Sequence, residues 1–322
     1  MLSFAKSLSA VAMQRIKFLL RLLVSISILA IILRSMNVRE GWQVVADARL
    51  EWLLFALFMQ FGSTAVAAYR WQLIMRNLGF GQLFSFYWDS YFKGMFFNQG
   101  LPTSIGGDAI RVLDVARRGY RKRDALYGVA IDRITGLGAL LLLALVAHLF
   151  NPGLLPDQVS RPILWLLAAG LLGFSSLGLL GKMPWLGRYP RLALLKALSD
   201  RLLQAVALRR FLLLASSLLV PLLAMLAFFG VGRALGLRYD LVTYFAIVPP
   251  ALVLTIIPVS IAGWGVREGV MVGLFSLIGA DKTVVLMMSL VYGILLILVS
   301  LPGLVVLLRS RRQQLSATTV RQ

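Results

Sequence analysis

Long apolar stretches alternate along the sequence with short clusters of charged or turn-forming residues. A helix that crosses the hydrocarbon core of a bilayer takes roughly 20 apolar residues. Six stretches of 18 to 26 residues come close to or exceed that length and predict six full spans. They lie at 16–33, 52–69, 127–149, 162–181, 211–231 and 283–308. No small-residue cleavage site precedes Arg34, so we expect the first stretch to be an uncleaved span rather than a signal peptide.

The composition agrees with this pattern and excludes several classes of protein. Apolar residues make up 59% of the chain and charged residues 14%, whereas soluble domains have about 45–50% and about 25%. An ordinary soluble enzyme or a disordered protein is therefore excluded. The chain has no cysteine and a single histidine, His148, which excludes disulfides, thiolate sites and multi-histidine metal centres. We expect no metal and no cofactor, and because no catalytic constellation is present, we expect no enzyme.

The charge distribution predicts which loops face the cytoplasm. The net charge of +20 could indicate nucleic acid, but in so apolar a chain it favours cytoplasmic loops and anionic phospholipid as partner. Five basic segments together hold 23 Lys and Arg against three acids, while the other loops hold seven bases against six acids. The five basic segments are the N-terminal segment, 70–76, 111–124, an amphipathic connector at 182–210 and a tail at 309–322. Placing them inside puts both termini in the cytoplasm.

This assignment leaves two apolar stretches that return to the side from which they started. Residues 83–118 leave from the cytoplasm and return to it, and residues 241–280 do the same from outside. Both are predicted to be re-entrant hairpins. Irregular backbone at membrane depth is tolerated only where it is buried in protein or lines a cavity. The two hairpins are therefore expected to form the functional site.

The breaks of the two hairpins resemble each other. Residues 102–111 read Pro-Thr-Ser-Ile-Gly-Gly-Asp-Ala-Ile-Arg and residues 258–267 read Pro-Val-Ser-Ile-Ala-Gly-Trp-Gly-Val-Arg, identical at five of ten positions. We therefore predict a single polytopic all-α membrane domain, residues 1–322, built from an inverted repeat. Its halves, 16–150 and 162–308, each contain three spans and one hairpin, giving about eight membrane segments. Such a plan occurs in many secondary transporters.

The motif favours an anion site at each break. Proline ends the preceding arm, and a new helix is expected to begin near Asp108 and near Val266, presenting unsatisfied N–H groups. An arginine at each start adds a bidentate phosphate donor. The predicted head-group ligands are Arg111, Arg267, Arg133, Ser104, Ser260, Gly107 and Gly263. In the alternative, Asp108 caps its helix and Arg111 extends to the cytoplasmic surface.

Further charged and polar residues lie within the predicted membrane segments, where charge is costly and usually faces a polar interior. They are expected to line a polar cavity or to couple transport to protons, although permanent ion pairs with the arginines are an equal alternative. The set comprises Asp108, Asp132, Glu268, Asn98 and Lys93.

These residues also carry a resemblance to a known family. The chain resembles the lysylphosphatidylglycerol synthase transmembrane-region family, also called the flippase-like domain family, over nearly its whole length. The matching motifs are Asn98-x-x-x-Pro102-x-x-x-Gly106-Gly107-Asp108-x-x-Arg111, Asp132-Arg133 with Gly136, and Pro258-x-Ser260-x-x-Gly263-x-Gly265-x-Arg267-Glu268 with Phe275 and Gly279.

The resemblance implies a protein of the bacterial inner membrane that moves lipids or polyprenyl-linked sugars between leaflets. Only 14 residues follow Leu308, so the soluble aminoacyl-transferase domain of the bifunctional members is not expected here. The predicted function is translocation of an anionic lipid or a polyprenyl-phosphate-linked sugar. A multispanning polyprenyl-phosphate-dependent glycosyltransferase and a non-transporting accessory subunit of a lipid-modifying complex are the alternatives.

Overall fold

The computed structural model describes residues 38–100, 105–180, 192–207, 209–255 and 263–319, with a few single positions outside these ranges. Within this part the chain forms helices and no strand, as predicted. The helices are α1 (Val38–Ala46), α2 (Leu50–Asn77), α3 (Phe84–Gly100), α4 (Ile105–Ala116), α5 (Lys122–Phe150), α6 (Asp157–Leu180), α7 (Ala193–Ala207), α8 (Arg210–Ala234), α9 (Leu241–Leu254), α10 (Val266–Ser276) and α11 (Lys282–Thr319).

Five helices are long and apolar enough to cross a membrane. They are α2, α5, α6, α8 and α11. In this order they contain the predicted spans at 52–69, 127–149, 162–181, 211–231 and 283–308, except that α6 ends one residue before its predicted span does. Most of the predicted first span, 16–33, lies outside the described residues. The chain is therefore a multi-pass membrane protein, while the side on which each terminus lies stays a prediction.

Two boundaries differ from the prediction. The α2 helix continues through residues 70–76, which the sequence analysis assigned to a cytoplasmic loop. It continues because that segment contains neither glycine nor proline, and because its side chains, Arg70 included, are mostly buried against other helices. Likewise α11 continues to Thr319, into the predicted tail at 309–322.

The two predicted hairpins are antiparallel pairs of shorter helices. In the first, α3 lies on α4, and their backbones are so close that a Cβ added to Gly107 would overlap the carbonyl oxygen of Gly94. In the second, α9 lies on α10, where the rings of Tyr244 and Phe275 meet edge to face with centroids 5.6 Å apart. The connecting residues, 101–104 and 256–262, lie outside the described residues.

The two hairpins pack in equivalent ways. The first arm of the first hairpin, α3, packs on α11, the last span of the chain. The first arm of the second hairpin, α9, packs on α5, the last span of the first half. The halves are held together by the long contact of α2 with α8 and by a hydrogen bond of 2.7 Å from Tyr292 Oη to Gln60 Oε1. Each hairpin is thus enclosed by spans from both halves.

The connector at 182–210 contains α7, which packs against α2 and α6. The buried Asn77 donates a hydrogen bond of 2.6 Å to the Ala205 carbonyl oxygen, and the Ser199 hydroxyl donates to the Leu177 carbonyl oxygen. Leu202 on the predicted apolar face is buried in this packing. The amphipathic helix therefore uses its apolar face against the protein itself.

Candidate functional site

The carboxylate of Asp132, on α5, is enclosed by two arginines from different helices. The Nε of Arg70, on α2, donates to Oδ1 at 2.9 Å, and the Nη2 of Arg111, on α4, donates to Oδ2 at 2.7 Å. Arg70 also donates to the backbone oxygen of Asp132 at 3.1 Å. All three side chains are buried. Each oxygen of the carboxylate thus accepts one charge-assisted hydrogen bond, which is the strong kind.

Local sequence features explain why both guanidinium groups fit into a helical interior. Gly136 follows Asp132 by one helical turn, and a Cβ there would lie only 2.9 Å from Arg70 Nη2. The guanidinium of Arg111 stacks on two aromatic rings, 4.1 Å from the centroid of Trp71 and 4.7 Å from that of Tyr91. Cation–π contact and the ion pair together hold Arg111 in one orientation.

Asp108 and Arg133 extend this cluster toward the surface. Arg133 Nε donates to both carboxylate oxygens of Asp108, at 3.2 and 3.0 Å, and Arg111 Nη1 lies 3.4 Å from Asp108 Oδ1. The side chain of Arg133 is 51% exposed. The alternative in which Asp108 caps the helix is wrong, since α4 begins three residues earlier, at Ile105. Asp108 instead contacts both the half-exposed Arg133 and the buried Arg111, which is itself paired with Asp132.

We call these five side chains the first arginine cluster; they are Arg70, Asp108, Arg111, Asp132 and Arg133. Three guanidinium groups face two carboxylates, so the cluster carries a formal charge of +1. Two of its buried donors, Arg70 Nη1 and Arg111 Nε, have no hydrogen-bond acceptor among the described residues. Buried donors without an acceptor are rare in proteins. The cluster therefore has both charge and donors to offer to an anion.

The second motif forms a different arrangement. Arg267 Nη2 and Nε donate to Glu268 Oε1 at 2.5 and 3.0 Å, and Nε and Nη2 also donate to the side chain and backbone oxygens of Ser289. The other oxygen of Glu268 accepts from the Gly265 N–H at 2.6 Å. One N–H group at the start of α10, where the sequence predicted unsatisfied donors for a phosphate, is thus bound by the chain's own carboxylate. This second arginine cluster is buried and neutral.

The two clusters occupy equivalent positions in their halves. Arg111 contacts Asp132 on the span that follows its hairpin, and Arg267 contacts Ser289 on the span that follows the other hairpin. Four residues after each partner comes a glycine, Gly136 or Gly293, whose added Cβ would lie 2.9 or 2.7 Å from an arginine Nη2. The sequence similarity of the breaks therefore extends into the following spans as a similarity of contacts.

The remaining predicted residues lie as follows. Ser104 and Ser260 fall outside the described residues. The Gly107 N–H donates to Asn98 Oδ1 at 2.7 Å, and Gly263 adopts the left-handed region with φ +81°. Lys93, near the middle of α3, forms an ion pair of 2.5 Å with Asp114, in the last turn of α4.

Sequence reasoning missed Arg70, Asp114 and Ser289. A signal for Arg70 was present, because polar residues recur along α2 at helical spacing within an apolar span. The buried members of this stripe are Gln60, Ser63, Thr64, Arg70 and Asn77. Such a stripe indicates a helix face turned toward a polar interior rather than toward lipid.

Comparison with known protein families finds one that covers most of the chain. The family described as the lysylphosphatidylglycerol synthase TM region matches residues 18–303. No curated protein matches the chain. The match covers both hairpins, both arginine clusters, four of the five long apolar helices in full and α11 as far as residue 303. The chain therefore belongs to the family of the lysylphosphatidylglycerol synthase TM region.

Proposed function

We propose that this protein is a flippase-like transporter, not an enzyme, that moves an anionic lipid or a polyprenyl-phosphate-linked sugar between the leaflets of a bacterial inner membrane. Family membership supports a membrane protein of the flippase-like kind. The observation that carries the choice of an anionic substrate is the surplus positive charge of the first arginine cluster.

A buried surplus charge is costly. An ion buried in protein loses several kcal/mol of hydration, and a buried charge without a compensating partner destabilises the fold. In the first arginine cluster one guanidinium has no carboxylate of its own, and two buried N–H donors lack acceptors. A phosphate monoanion would balance the charge and accept from both donors. The second arginine cluster, being neutral, acts in this proposal as a structural counterpart.

The equivalent packing of the hairpins supports an inverted repeat as the basis of transport. In this proposal the halves 16–150 and 162–308 rock against each other around the contact of α2 with α8. The polar head group passes the first arginine cluster while the apolar tails stay in lipid. Exposed large apolar side chains on the outer surfaces of the spans, such as Trp165 and Phe211, are suited to that lipid contact.

Lipid translocation by the purified full-length chain in liposomes tests the proposal. Nitrobenzoxadiazole-labelled phosphatidylglycerol, a labelled polyprenyl-phosphate sugar and labelled phosphatidylcholine serve as probes, and dithionite reduction reports which leaflet each one occupies. We expect faster translocation of at least one phosphate-monoanion probe than in protein-free liposomes, with little effect on the zwitterionic phosphatidylcholine. Equal rates with and without protein for all probes would overturn the proposal and leave the glycosyltransferase and the accessory subunit as alternatives.

The variant Arg111→Ala separates the site from the fold. It leaves Asp132 paired with Arg70 and Asp108 paired with Arg133, so no carboxylate becomes unpaired. A lost charge-assisted hydrogen bond weakens binding by about 1.5–3 kcal/mol, so we expect translocation at limiting substrate to fall roughly tenfold or more. The matched control is Arg76→Ala, which removes an exposed arginine of α2. Wild-type translocation by Arg111→Ala would refute the role of this cluster.

A further inference from the structure

A second polar site lies at the open end of the first hairpin, where α3 begins and α4 ends. A cleft of about 490 Å³ opens between the start of α3, the end of α4 and the last part of α11. It is separate from the first arginine cluster, because none of that cluster's five residues lines it. Its lining residues are Ser85, Phe86, Asp89, Lys93, Asp114, Arg117, Arg118, Val306, Arg309 and Ser310.

Positive charge dominates the cleft. Four bases face two acids along its walls, which gives a formal charge of +2. Lys93 and Asp114 neutralise each other at 2.5 Å, and Arg117 lies at a long 3.8 Å from the same carboxylate. The guanidinium of Arg118 lies 5.3 Å from the ring centroid of Phe86. Arg309 makes no ion pair with any described residue. Three arginines can therefore turn toward a ligand.

The surroundings of the cleft indicate an amphipathic ligand rather than a freely soluble one. Large apolar side chains are exposed beside it on the same helix ends: Leu83 just before α3, Leu113 on α4, and Val305 and Leu308 on α11. Phe86 and Val306 form apolar parts of the wall itself. A phosphate group bound among the arginines would thus leave its apolar chain against apolar protein surface and lipid, as hydrophobic transfer favours.

The base of the cleft leads toward the first arginine cluster. The Lys93–Asp114 ion pair forms part of its lining. Asp114 precedes the exposed end of α4 and lies one helical turn beyond the buried Arg111 on the same helix. Lys93 is the neighbour of Gly94, whose added Cβ would lie 3.3 Å from the Arg111 side chain. The ion pair thus stands between the cleft and the buried cluster.

We infer that this cleft is a separate binding site for a phosphate-bearing lipid head group, with Arg117, Arg118 and Arg309 as its ligands and the Lys93–Asp114 ion pair as its floor. The inference rests on the proposed function in taking this lipid as the transported substrate, loaded from the leaflet at which α4 ends. Asp89, which lines the same wall, weakens the positive field and limits the affinity.

Binding measured without transport tests this inference. Purified full-length protein in detergent is titrated with water-soluble dioctanoyl phosphatidylglycerol, with dioctanoyl phosphatidylcholine and with inorganic phosphate. All measurements use the Arg111→Ala background, which makes the first arginine cluster neutral and removes one of its two buried donors without an acceptor. Failure of the proposed function would appear in liposomes as equal translocation of every probe with and without protein, whereas failure of the cleft appears only in these titrations.

The test variant replaces the three cleft arginines by glutamine, and the control variant replaces three exposed bases outside the cleft. The test set is Arg117→Gln, Arg118→Gln and Arg309→Gln, and the control set is Arg210→Gln, Arg238→Gln and Lys282→Gln. Both sets remove the same charge. We expect the affinity for dioctanoyl phosphatidylglycerol to fall roughly tenfold or more in the test variant, and less than threefold in the control. Equal loss in both variants, or no loss in the test variant, would overturn the inference.

A gain-of-binding variant guards against a misfolded triple variant. Asp89→Asn removes the wall's own negative charge, so the affinity for dioctanoyl phosphatidylglycerol should rise about two- to fivefold at a high effective dielectric. A purely structural role of the cleft residues would not produce such a gain, and unchanged affinity would count against the site. Inorganic phosphate binding as tightly as the lipid would overturn the lipid as ligand and identify free phosphate instead.

Discussion

Asp132→Asn is the most informative single change, because Asp132 is the only carboxylate that contacts two buried arginines among the described residues. The side chain keeps its size and loses its charge. Three guanidinium groups would then face one carboxylate, and the formal charge of the first arginine cluster would rise from +1 to +2. The substitution therefore tests whether this buried ion network stabilises the fold.

The magnitude follows from the contacts. Breaking a buried ion pair by removing one partner costs about 3–5 kcal/mol, because the other charge stays buried and uncompensated. Here Arg70 and Arg111 each lose the charged acceptor at 2.9 and 2.7 Å, and the single amide oxygen of asparagine replaces two carboxylate oxygens. At roughly 2 °C per kcal/mol for a chain of this size, the melting temperature should fall by about 6–10 °C. Tryptophan fluorescence of the detergent-solubilised protein during slow heating measures this change.

A matched control and a second substitution make the result specific. Asp157→Asn removes an exposed carboxylate that pairs with the exposed Arg161, and such pairs contribute at most about 1 kcal/mol. Adding Arg70→Gln to Asp132→Asn restores the surplus of one positive charge, so the double variant should be more stable than the sum of the single effects by about 1–3 kcal/mol. A melting temperature of Asp132→Asn within 2 °C of the wild type, or strict additivity, would refute the reasoning.

Three further predictions follow from other contacts. Arg267→Ala should destabilise the protein by about 3–5 kcal/mol because it leaves the buried Glu268 without its ion-pair partner. The double variant Arg267→Gln/Glu268→Gln should recover a measurable part of the lost melting temperature. No recovery would argue against a stabilising ion pair between Arg267 and Glu268. Gly303→Ala should lower the melting temperature, since its Cβ would overlap the Phe92 carbonyl oxygen, whereas Gly178→Ala, which meets open space, should not; equal effects would exclude close packing of α3 on α11. Labelling of single cysteines in cells by an impermeant thiol reagent should follow the charge pattern. We expect Asp157→Cys to react from outside, and Arg123→Cys and Ser310→Cys to react only from the cytoplasm. Reaction of position 123 from outside would refute the predicted topology.

The sequence alone determined the class of the protein and most of its helices. The reason is that a bilayer requires apolar helices of a minimum length, so the apolar stretches could be assigned without knowing their neighbours. The helix breaks could be found for a similar reason, since proline and glycine act on the local backbone whatever packs against it. The start of α10 at Val266 is therefore where the sequence predicted it, and the start of α4 lies within three residues of the prediction.

The partners of the charged residues were decided only by the tertiary structure. Arg70 and Asp132 are 62 residues apart, and Arg267 and Ser289 are 22 apart, so no local pattern links them. Whether an arginine stays free for a ligand or is neutralised depends on which helix faces it, and that depends on the packing of the whole chain. This is why two similar motifs give one cluster with surplus charge and one that is neutral: Asp132 is shared by two arginines, whereas Arg267 has Glu268 beside it and the uncharged Ser289 across from it.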